Sequence, residues 1–129
     1  SPPPLPPSSP PGEQNIFQIR EQETSDKKLE YFRFQNQIFH GYNWTNMFVH
    51  VLRCLCQLDS SKLMQASRKS QGFKISDNPK SVNSTNRAIK SIGNGLFTSA
   101  NNSTPQKIRY LKIALEIFDM KNDLSVKFS

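Results

Sequence analysis

From residue 29 onward the spacing of apolar positions switches between two and three-to-four, and each switch predicts an element. Leu29-Glu-Tyr-Phe-Arg-Phe-Gln35 alternates and is rich in aromatics, and Ile38-Phe39-His40 follows after Asn36-Gln37. Alternation with aromatics favours strands, so this stretch predicts a β-hairpin with a tight turn at Asn36. Phe48, Val51, Leu52, Leu55 and Leu58 then recur at three and four, which is one face of a helix. Asn43 or Thr45 can cap that helix, Trp44 anchors its start in the core, and it runs to Leu58. A second helical turn over Ser60–Ser67 turns Leu63 and Met64 inward.

Residues 67–86 are polar, with Phe73 and Ile75 as the strong apolar anchors. Burial offsets little of the ordering entropy there, so a long, mobile loop is expected, with Phe73 pinning it to the core. Ile89, Ile92, Leu96 and Phe97 surround Gly93-Asn94-Gly95 and predict strand structure around a turn or bulge with positive φ. Thr104 as N-cap and Pro105 in the first turn open a second main helix, with Ile108, Leu111, Leu115 and Phe118 as its buried stripe. Leu124-Ser-Val-Lys-Phe128 alternates as a final strand. The order β-β-α-loop-β-α-β predicts an α+β class. The expected form is a small mixed sheet, the hairpin plus two further strands, with two main helices on one face.

Composition changes this picture at the N-terminus. Seven of the nine prolines fall within residues 1–11. Proline fixes φ and lacks the amide donor, so residues 1–15 read as a disordered Pro-rich linker. Pro4 and Pro7 also satisfy P-x-x-P, the docking signature for proline-recognising domains. Residues 16–28 read as a partly ordered connector, and residues 29–129 as a single domain. The length of 129 residues suits one domain. Because the chain begins at Ser1 rather than Met, it reads as an excerpt of a longer protein.

The series Phe34…Ile38-Phe39…Trp44…Phe48-Val49…Leu52…Leu58-Asp59, then Asn94-Gly95-Leu96-Phe97…Asn101…Ile108…Leu111…Leu115…Leu124…Val126, resembles a small C-terminal module of bacterial restriction, modification and phage-defence proteins. The resemblance spans about residues 31–128. It departs at Ser60-Ser61, where an acidic or proline-containing turn is expected, and in the Asn/Ser-rich stretch 76–86. It implies an accessory domain on a larger protein and carries over no catalytic residue.

Charge gives the strongest functional signal. The net charge is +7, yet residues 1–30 sum to −2 and residues 31–129 to +9. Within residues 62–112 ten basic residues meet one acid, Asp77. Such a surface attracts polyanions. Arg68, Lys69, Lys74, Lys80, Arg87 and Lys90 lie in or beside the polar loop, and Lys107, Arg109 and Lys112 on the last helix. These nine residues are the candidate nucleic-acid-binding set, with Asn78, Asn83, Asn86, Asn101 and Asn102 as hydrogen-bonding neighbours. The expected partners are nucleic acid, DNA ahead of RNA, and other domains of the same polypeptide. The alternative is a protein-interaction or dimerisation module that positions a partner domain.

Catalytic chemistry is not legible. His40 reads as a strand-end residue and His50 as a surface residue opposite Leu52, and no nuclease-type carboxylate cluster is present. Cys54 and Cys56, two apart on a helix, point to different sides and cannot bridge. That disfavours a disulfide framework and favours a reducing compartment. Zinc needs about four ligands, so neither metal nor cofactor is expected. Four N-x-S/T sequons, at Asn43, Asn83, Asn101 and Asn102, read as chance in an Asn/Ser-rich chain. The reading is a cytoplasmic, non-enzymatic accessory domain without a membrane span.

Overall fold

The computed structural model describes residues 12–82 and 88–129. The leader through Pro11, and with it Pro4 and Pro7, lies outside the described residues, as do Asn83, Asn86 and Arg87. The elements in chain order are β1 (Gln14–Asn15), β2 (Leu29–Phe34), β3 (Gln37–His40), α1 (Trp44–Leu58), α2 (Ser60–Ser67), β4 (Ile75–Ser76), α3 (Pro79–Val82), β5 (Ile89–Gly93), β6 (Leu96–Ser99), α4 (Thr104–Ile117) and β7 (Leu124–Phe128). The fold is α+β.

The strands divide into two antiparallel sheets, ordered β1-β7-β2-β3 and β4-β6-β5, where the sequence predicts one mixed sheet. Local turn chemistry explains the division. Gln35 and Asn36 both have positive φ, so β2 folds directly onto β3 with Phe34 opposite Gln37. Asn94 and Gly95 repeat that geometry at φ 55° and 73°, so β5 folds onto β6 and not onto the first hairpin. β4 completes the second sheet by pairing Ile75 with Thr98. β7 returns through Asp119, also at positive φ, to lie between β1 and β2.

α1 is the central helix and touches both sheets and α4. Asn43 caps it, its Oδ1 accepting from Asn46 N at 2.7 Å. Met47, Phe48, Val51, Leu52 and Leu55 are fully buried, facing a core completed by Phe32, Leu124, Val126, Ile92, Ile108, Leu111 and Leu115. Asp59 joins α1 to α2, ending one helix and capping the next through Lys62 N.

The structure corrects three local expectations. Gln14 and Asn15, within the stretch read as a disordered linker, form β1 on β7, and in the connector Ile16 and Ile19 are buried. Apolar burial is what places the connector there, because Ile16 and Ile19 fill the space beside α4 and β7. The stretch 67–86 is not structureless, since it carries β4 and α3. Phe73 is its pin, stacked on Tyr110 at 4.9 Å with the rings 7° apart. A side chain on Gly72 would collide with Tyr110 Oη, so glycine permits this close approach. The cap of α4 is Ser103 rather than Thr104. Ser103 Oγ accepts from Gln106 N and Gln106 Oε1 accepts from Ser103 N, a reciprocal pair that Thr104 could not form.

Candidate nucleic-acid interface

The nine predicted basic residues have three fates. Lys107 is buried in the fold: its ammonium donates to Ala100 O at 3.2 Å and Asn102 O at 2.6 Å. Burial lowers its pKa from the ordinary lysine value. Lys112 is half-buried, donating to Ile19 O at 2.6 Å and pairing with Glu21 at 3.5 Å. That ion pair ties α4 to the N-terminal connector. A backbone hydrogen bond, with Lys112 as a further contributor, holds Glu21 below the usual carboxylate range. Arg87 lies outside the described residues.

The remaining six, Arg68, Lys69, Lys74, Lys80, Lys90 and Arg109, are exposed. The chain leaves α2 in a tight turn, with Arg68 N and Lys69 N bonded back to Gln65 O and Ala66 O, and this turns both side chains outward. Both also sit at the helix C-terminus, where the macrodipole favours cations. Lys74 follows the buried Phe73, and Thr98 Oγ1 donates to its carbonyl at 2.8 Å, so its ammonium faces solvent. Lys80 is in the first turn of α3, its amide bonded to Asn78 Oδ1 at 3.1 Å.

Two grooves connect part of this set along α4. A polar cleft of about 300 Å³ is lined by Lys74, Ser99, Asn101, Asn102, Gln106 and Tyr110. A second groove of about 360 Å³ lies between Lys69 and Ile113, Glu116 and Ile117. Gln106, Arg109 and Ile113 are three and four residues apart, so Arg109 sits on the helix face between the two grooves. Lys74, Arg109 and Lys69 thus border one strip, with Lys80 on the element that supplies Val82 to the cleft. Lys90 is on β5, opposite Thr98, and lines neither groove.

Part of the acid complement is ion-paired, with Glu116 in the second groove and Glu21 on Lys112 of α4. Among the described residues the ion pairs are Arg33–Glu13, Lys112–Glu21, Lys121–Glu116 and Lys127–Glu30, at 3.3 to 3.9 Å. None includes an exposed member of the basic set. A cleft of about 880 Å³ behaves differently: Lys27 and Lys28 line it with Asp26 and Glu30, beside Tyr42 and Trp44. Its charges balance, so it makes no anion-attracting field.

No family model matches the chain, and no curated protein or solved structure matches it. The functional reading therefore rests on its own residues.

His50 is not the surface residue the sequence suggests. It is half-buried among Phe39, Tyr42 and Phe32, with ring centroids 4.6, 5.7 and 5.8 Å away. Burial, with Arg53 adding to it, lowers its pKa. Cys54 Sγ stands 3.7 Å from His50 Nε2, and burial raises that thiol's pKa. Both shifts favour the neutral pair, the reverse of the thiolate–imidazolium couple a cysteine nucleophile uses. His50 and Cys54 are four apart on a helix, a spacing that could have flagged the contact. Among the described residues no helix is long and apolar enough to cross a membrane, and no group of three or more His, Cys, Asp or Glu is placed to hold a metal.

Proposed function

We propose that this chain is a non-catalytic accessory domain that binds nucleic acid through the basic strip along α4. The single observation that carries this reading is the set of exposed cations without ion-pair partners among the described residues: Arg68, Lys69, Lys74, Lys80 and Arg109, on or beside two grooves. A solvated face that merely confers solubility intersperses both signs. Here cations predominate: Glu13 and Glu30 pair with cations on other surfaces, and the acids near the strip are Glu116 in the second groove, Glu21 beside Lys112 and Arg109, and Asp77. The amides of Asn101, Asn102 and Gln106 beside Lys74 supply donors and acceptors next to a phosphate-attracting charge.

The protein-interaction reading lacks comparable support. Among the described residues the exposed large apolar side chains are Ile38 and Leu58, on β3 and at the end of α1. Such isolated residues are ordinary and do not form a docking patch.

Fluorescence anisotropy with labelled duplex and single-stranded oligonucleotides at low salt tests the proposal. Binding in the micromolar range or tighter is expected. No binding to either form would overturn it.

A further inference from the structure

We propose that His50 and Cys54 form a two-ligand site on α1 for a soft, thiophilic d10 ion such as Cu(I). The pair is pre-arranged. One helical turn separates the two residues, and Sγ and Nε2 already stand 3.7 Å apart. An ion bonded at about 2.3 Å to sulfur and about 2.1 Å to nitrogen would bridge that gap with an S–M–N angle of roughly 115°.

The surroundings select the ion class. Phe32, Phe39 and Tyr42 ring the imidazole, so the site offers one sulfur, one nitrogen and apolar walls. Among the described residues no Asp or Glu joins the pair in a metal-binding group, so a hard, heavily hydrated cation finds no carboxylate here, and zinc finds two of the about four ligands it prefers. A soft monovalent ion accepts low coordination. The charges then close: the Cys54 thiol releases one proton to solvent, its sulfur binds M⁺, and His50 donates the Nε2 lone pair. The S–M–N unit is neutral, which suits a half-buried aromatic setting and the nearby Arg53. Cys56 is a separate thiol, buried and directed to Gly93 O at 3.5 Å. This inference does not depend on nucleic-acid binding.

The test is anaerobic Cu(I) titration of the whole chain against a chromophoric Cu(I) chelator, with Zn(II) as comparator. One Cu(I) per chain is expected, held more tightly than Zn(II). His50→Gln and Cys54→Ser should each weaken it at least about tenfold, while Cys56→Ala should not. Circular dichroism of each variant checks that it folds. If Cys54→Ser folds poorly, His50→Gln carries the decision: unchanged Cu(I) affinity in that variant reduces the site to a bare thiol and overturns the proposal. Stronger Zn(II) than Cu(I) binding overturns it as well.

Discussion

Two residues act opposite to their usual place in a protein, and each has a measurable consequence. Lys107 is a buried cation held by Ala100 O and Asn102 O, and it locks the β6–α4 connection. Lys107→Met should lower stability by about 1–3 kcal/mol, because two carbonyls lose their donor. Urea denaturation measures this. Oligonucleotide affinity of the folded variant should stay unchanged, which separates Lys107 from the exposed cations. His50 has a depressed pKa, so the folded chain takes up its proton less readily than the unfolded chain does. The unfolded state binds more protons near the ordinary imidazole value of about 6.5, so stability rises with pH there. Stability should therefore fall as pH drops below about 6.5, and His50→Gln should flatten that fall. Thermal melts between pH 7.5 and 5 would read it, and an unchanged slope in the variant would assign the effect elsewhere.

Local signals determine most of the elements. The three-and-four spacing of α1, the Ser60–Ser67 helix and the alternating Leu124–Phe128 strand were all legible, because each is long enough for a period to show. β1 and β4 were not, since two residues carry no period. Their pairing depends on tertiary neighbours, Val126 for Gln14 and Thr98 for Ile75. The second sheet leaves no signal in the sequence for the same reason, although its Gly93-Asn94-Gly95 turn is legible as a positive-φ turn. Ser103 and Thr104 are both good caps, and only the reciprocal bond to Gln106 decides between them. Ser103→Ala should cost about 1 kcal/mol by removing that cap. Gly95→Ala should cost a similar amount, because φ of 73° strains an L side chain. Chemical denaturation of both variants checks these values, and a loss under a few tenths of a kcal/mol would mean the turn or the cap contributes little.

At the scale of the whole molecule the basic set was legible as a charge excess but not as a surface. Sequence counting treats Lys107 and Arg109 alike, whereas one is buried and the other exposed. It equally could not see that Glu21 occupies Lys112, because ninety-one residues separate the two in the chain. What survives is a smaller strip from Lys74 past Arg109 to Lys69, with Arg68 and Lys80 beside it. The proposed binding there would release counterions: each phosphate contact contributes about 0.9 to the slope of log K against log salt on duplex DNA. The decisive measurement is that slope for the native chain and for the combined Arg68→Ala, Lys69→Ala and Lys74→Ala variant, whose folding is verified by its melt. A steep native slope that drops by about 2–3 in the variant is the predicted result. Equal slopes in both chains would contradict the placement of nucleic acid on this face.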